Sequence, residues 1–279
     1  MRNLYTGAVA GLAGMLLLSA LAAAQNAQSA PQNNAPKSPW RYYPADRAVG
    51  DGGPAPKRDL SGTWAGPSSG SGAPRQKGEI VPPLTDLGKQ LFARNKPIGK
   101  YSPGGTNDPH TRYCDPFGFP QNMTQEIRGM TITTLPTRTF LLLQYMDLWR
   151  EIWTDGRTLP AKVGGRDRDA HDPKYNGYSI GRWEDDYTFV VNSNGTDERT
   201  WLDNAGSPHS DQMKVEERYH RVDANTMELT VTIDDAKAYT APWVPRNKLR
   251  LRLLPPDIDL IEMIPSASEA AEYKKVFGK

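Results

Sequence analysis

From Gln212 to Val222 the chain reads "QMKVEERYHRV". A period of two puts Met213, Val215, Glu217, Tyr219 and Arg221 on one face, and Gln212, Lys214, Glu216, Arg218 and His220 on the other. That alternation is the mark of a half-buried β-strand. Runs of the same kind predict strands at 59–66, 129–135, 139–146, 148–154, 177–184, 187–193, 212–222, 226–234, 248–254 and 258–264. The punctuation between several of them, "PTR", "DD", "DAN" and "PPD", is of hairpin length and predicts an antiparallel meander rather than βαβ units. Leu84, Leu87, Leu91 and Phe92 instead fall at helical spacing, with Thr85 or Asp86 able to cap, and predict one short helix. A second, closing helix is predicted at "SEAAEYKKVF".

A mainly β fold of about ten sequential strands is most economically satisfied by a sheet that closes, because closure removes unpaired edges. The expectation is a barrel or a strongly curved sheet, with a β-sandwich as the alternative. The "GTW" at 62–64 resembles the glycine-x-tryptophan opening of lipocalins and related calycin barrels. The spaced segments "WREIWTDGRTLP", "GYSIGRWEDDYTFVV", "WLDNAGSPHSDQMKVEERYHR" and "TIDDAKAYTAPW" resemble a large family of exported bacterial proteins from acidobacteria and proteobacteria. That resemblance implies export and a β-rich fold, and it implies no catalytic residues.

The N-terminus carries Arg2, an apolar run from about Ala8 to Leu21, and the small residues Ala22 and Ala24 before Gln25. This is the anatomy of a signal peptide, residues 1–24, cleaved near Ala24. The run is shorter than the roughly 20 residues that span a bilayer, so no membrane insertion is expected after cleavage. Residues 25–58, rich in Gln, Asn, Ala, Pro, Ser and Gly, bury too little apolar surface to order by themselves and predict a linker that docks at most through "PWRYY". One domain is expected over 59–279. A periplasmic or secreted protein follows, and its lone Cys114 cannot close an intrachain disulfide.

Charge narrows the function. The formal net charge is +2, with acidic and basic residues interspersed, which gives no single-sign surface for nucleic acid. There is no phosphate loop, no dinucleotide fingerprint and no G-x-S-x-G elbow, and the four histidines stand at no recognised ligand spacing. No cofactor and no metal are expected.

The candidate chemistry lies in "GSPHSDQMKVEERYHR" and "WREIWTDGR". His209 enters a strand behind Pro208, with Asp203 or Asp211 available to orient it as a general base. Glu217 sits on the apolar face, where a carboxylate is either a tuned acid or half of a buried ion pair with Arg150 or Arg182. Arg150 and Arg157 could clamp an anion through the guanidinium fork. Arg218, Tyr145, Trp153, Tyr178 and Trp183 complete the expected ligand set, since an aromatic barrel with a few polar groups suits an aromatic or apolar small molecule. The favoured expectation is a ligand-binding barrel with an internal pocket. The alternative is a cofactor-independent lyase, isomerase or hydratase using His209 and Glu217 as base and acid. Two long loops, about 97–126 and 157–177, are expected to matter, the first folded over one barrel mouth.

Overall fold

The computed structural model describes residues 41–42, 52–66, 82–97, 105–124, 127–264 and scattered positions up to 275. The expected signal segment, most of the linker and most of the closing helix lie outside the described residues.

The fold is mainly β, and its strands from Gly62 to Asp234 lie where the alternation puts them. They are β1 (Arg41–Tyr42), β2 (Gly62–Ala65), β3 (Met130–Leu135), β4 (Arg138–Leu143), β5 (Leu148–Trp153) and β6 (Tyr178–Trp183). They continue with β7 (Thr188–Asn194), β8 (Lys214–Asp223), β9 (Thr226–Asp234), β10 (Trp243–Leu253) and β11 (Ile258–Asp259). Strands β2 to β10 follow one another round a closed barrel, and β10 pairs with β2 to complete it.

Nine strands cannot alternate direction all the way round a ring, so one neighbouring pair must run parallel. That pair is β5 with β6, registered at Trp153 and Ile180. A parallel pair needs a long crossover, and this explains the loop between Trp153 and Tyr178 that is too long for a hairpin. The meander expectation therefore holds except at this junction. The tenth expected strand, 258–264, is also corrected: only Ile258 and Asp259 pair, in parallel with Arg41 and Tyr42, outside the barrel.

Parity also sorts the connections. The turns at 136–137, 184–187 and 224–225 share one end of the barrel. The opposite end receives the connection from β2 to β3, whose described residues include 82–97 and 105–124, and the segments 195–213 and 235–242. Three short helices belong to the first of these: α1 (Asp86–Arg94), α2 (Pro109–Tyr113) and α3 (Gln121–Thr124). Thr85 caps α1 by accepting from the Gly88 amide, as its side chain allows.

Inside, the barrel is filled. Trp64, Met130, Ile132, Leu141, Ile152, Phe189, Val191, Leu229, Val231 and Leu251 are all buried and pack as one core. The segment running into α3 closes the loop end, with Phe119 and Met123 fully buried beneath it. This is the expected cover over one mouth, but it is a plug rather than a lid. An internal ligand pocket was the expectation; among the described residues the inward side chains of these strands pack as one cluster, and the clefts beside the 195–213 segment are lined by loop and strand-end residues.

Candidate functional site

The expected site residues divide into two constellations. In the first, Arg150 and Glu217 form a forked ion pair inside the barrel. Nη1 donates to Oε1 at 2.9 Å and Nη2 to Oε2 at 2.6 Å. Tyr219 donates to the same carboxylate at 2.7 Å, and Arg150 Nη2 also donates to Ser179 and Ser193, each at 3.1 Å. The Phe119 ring of the plug covers the guanidinium at 3.7 Å. The register requires this cluster: Val191 lies opposite Glu217, Ser179 opposite Ser193 and Leu141 opposite Arg150, all facing inward. Burial would lower the Arg150 pKa, but the charge and hydrogen bonds of Glu217 more than offset it, so the group is held above its ordinary value. Burial and the neighbouring carboxylate push the Tyr219 phenol well up. Glu217 is thus the ion-pair partner of Arg150, while Arg182 is exposed to solvent.

The second constellation surrounds His209. The turn before it is built locally: Asp203 accepts from the Ala205 and Ser207 amides and from the Ser207 hydroxyl. Gly206 takes φ +84°, and a Cβ there would press on Asn95. Asn95 in turn donates to the Gly206 carbonyl at 2.8 Å and ties the end of α1 to this turn. From the other side, the buried Asp235 accepts from the Ser210 amide at 2.6 Å and the Ser210 hydroxyl at 2.7 Å. Tyr239 donates to the Pro208 carbonyl at 2.6 Å. His209 is consequently held between α1 and the 235–242 loop.

Its imidazole is 3 % exposed. Nδ1 lies 3.1 Å from the Ser210 carbonyl and Nε2 lies 2.9 Å from the Thr200 hydroxyl. Burial lowers the His209 pKa, against the opposing pull of the Ser210 carbonyl, Asp235, Glu198 and Asp197. Above the imidazole opens a cleft of about 460 Å³, within the size range of small-molecule sites. Leu91, Tyr113, Trp201 and Pro208 supply its apolar wall, and Arg94, Asp115, Glu198 and Arg199 its charges. Tyr113 is 63 % exposed. Arg199 is already forked onto Asp197.

The other expected residues stand apart from this cleft. Asp211 is exposed and pairs with Lys237 at 2.7 Å, so the Ser210 carbonyl, not Asp211 or Asp203, orients His209. Arg157 is forked onto Asp155 and lies 3.4 Å over the Trp153 ring on the barrel exterior. Tyr145 stacks on Phe117, Tyr178 donates to the Asp172 carbonyl, and Trp183 packs against Phe189. Arg218 pairs with Glu184 and Glu216 on the outer face. Of the expected set, only His209 lines the cleft, and Glu217 is engaged elsewhere.

Sequence reasoning missed Arg94, Tyr113, Thr200, Trp201 and Asp235. Trp201 lies in a segment singled out by its motif, and Tyr113 in a loop noted for its aromatics. Nothing local joined them to His209. Among the described residues no group of three or more His, Cys, Asp or Glu is gathered to hold a metal ion. No family model, curated protein or solved structure matches the chain.

Proposed function

We propose that this is an exported β-barrel protein that binds a small molecule with an aromatic or apolar body in the cleft over His209. The exposed Tyr113 side chain carries the reading. A tyrosine left open to water beside Trp201 and Leu91 holds apolar surface that a flat ligand would cover, at about 25 cal/mol per Å² removed from water. Arg94, exposed and lining the same cleft, supplies a donor fork for an anionic substituent. The export half of the reading rests on the charged, apolar and small-residue order of residues 1–24. The lyase-type alternative loses its acid, because Glu217 is committed to Arg150.

The test is binding of a panel of benzoate, phenol, indole and benzylamine, followed by heteronuclear NMR on the mature chain. At least one probe is expected to shift Trp201 and His209 resonances saturably. Tyr113→Ala should weaken that binding about tenfold, the size of one lost aromatic contact of about 1.4 kcal/mol, and Arg157→Ala should leave it unchanged. Absence of saturable shifts at the cleft for every probe, or loss of binding in Arg157→Ala but not in Tyr113→Ala, would overturn the assignment.

A further inference from the structure

Three contacts meet around Thr200 and His209, and they need three protons. The Thr200 hydroxyl lies 2.9 Å from the Asp197 carbonyl and 2.9 Å from His209 Nε2. His209 Nδ1 lies 3.1 Å from the Ser210 carbonyl, which can only accept, so Nδ1 carries a proton. A neutral imidazole then brings one proton and the hydroxyl brings one. The hydroxyl must choose between Nε2 and the Asp197 carbonyl, and one contact stays empty. A protonated imidazole fills all three: Nε2–H donates to Thr200, and the Thr200 proton turns to Asp197. The Asp197 carbonyl, which also accepts from the Thr200 amide at 3.0 Å, is fixed in place for either state. The heavy atoms need not move.

We infer that His209 is the proton-binding group of the cleft, that protonation reverses the Thr200 hydrogen-bond chain and makes the cleft floor cationic, and that anionic ligands therefore bind with uptake of a proton. The inference rests on the reading that the cleft holds the ligand. Charged neighbours act on this coupling from every side, the carboxylates drawing a proton to His209 and the arginines drawing the anion. Asp197, Glu198 and Arg199 stand on the same segment, Asp235 on the 235–242 loop, Arg94 on α1, and Tyr113 and Asp115 on the segment of α2. Asp235 and Asp197 draw a proton toward the imidazole, whereas burial resists it. An anion in the cleft adds to the first side. By reciprocal linkage, a ligand that raises proton affinity tenfold is itself bound tenfold more tightly by the protonated form.

The test is NMR titration of the imidazole Cε1 protons in the full mature chain between about pH 8 and 5, with His209→Gln identifying the signal. His209 should titrate within the folded state. Thr200→Val keeps the shape but removes the chain, and should lower the midpoint by about one unit, a tenfold loss of proton affinity. Thr200→Ser restores the hydroxyl and should restore the midpoint, which a purely structural role for Thr200 would not require. Benzoate should bind about tenfold more tightly at the acid end than at the alkaline end, phenol equally at both, and His209→Gln should flatten the benzoate profile. The flattening separates His209 from the cleft carboxylates Asp115 and Glu198, which that variant retains. A His209 signal that never titrates before unfolding, an unmoved midpoint in Thr200→Val, or a benzoate profile unchanged in His209→Gln would each overturn the inference. Binding of benzoate with no pH dependence would overturn it while leaving the cleft reading intact. Failure of both probes to bind would remove the cleft reading and, with it, the anion coupling; the chain reversal would still be decided by the free-protein midpoints.

Discussion

Replacing Glu217 with Gln tests the central claim about the barrel interior. The substitution preserves the shape of the side chain and removes its charge. Arg150 remains, with its side chain 1 % exposed, and keeps one neutral amide oxygen, Ser179, Ser193 and the Phe119 face for company. Serine hydroxyls and an aromatic face do not balance a full guanidinium charge out of water. Breaking one side of a buried pair in this way costs about 3–5 kcal/mol. For a domain of this size, each kcal/mol corresponds to about 2–4 °C in Tm, so a fall of about 10 °C is expected. Thermal and urea unfolding at neutral pH, followed by near-UV circular dichroism, measure it. Removing both charges together, Arg150→Met with Glu217→Leu, should recover most of the loss, because no charge is then stranded. The resulting double-mutant cycle isolates the coupling. A Glu217→Gln protein within about 1 kcal/mol of the parent would refute the reasoning, since the carboxylate would then not be holding the arginine.

Two further outcomes follow from the packing and from the histidines. A Cβ at Gly181 would stand 2.3 Å from Phe189 Cζ and 2.8 Å from Ile152; Gly181→Ala should therefore destabilise by about 1–3 kcal/mol in urea unfolding, and Phe189→Leu in the same chain should relieve part of it. Burial lowers the pKa of both His110 and His209 in the folded state, so below the ordinary histidine value of about 6.5 the unfolded chain binds more protons than the folded one. Stability should be level above that value and fall as the pH drops through it toward the folded-state midpoints. Denaturant midpoints across this range should show the fall, and His110→Gln with His209→Gln should reduce it.

Much of the fold was legible because it is written in neighbouring residues. The alternation in 212–222 becomes β8 at Lys214–Asp223, and the helical spacing after Thr85 becomes α1 at Asp86–Arg94. Glu217 was legible as a carboxylate on the inward face, either a tuned acid or half of an ion pair, and the structure decides for the pair. Which arginine was not legible, because Arg150 lies 67 residues away and alternation places it no better than Arg182. The lower edge of β10 was also missed. Its register shifts between Trp243 and Leu249, where Pro245 and bulges interrupt the period that a strand search follows.

The sequence by itself determined the mainly β class of the fold, the positions of most barrel strands and hairpin turns, and the inward placing of Glu217. Each depends on side chains a few residues apart, whose periodicity the backbone imposes locally. Tertiary structure alone decided three things. Closure with nine strands forced one parallel pair, which falls at β5–β6, and the strand directions set three long connections at one end. The packing of Phe119 and Met123 into the barrel's core cluster set the floor of the loop end. The cleft was assembled from Leu91, Tyr113, Trp201 and His209. Those residues are distant along the chain, and only the docking of α1 and the Asp235 loop on either side of His209 brings them within reach of one molecule.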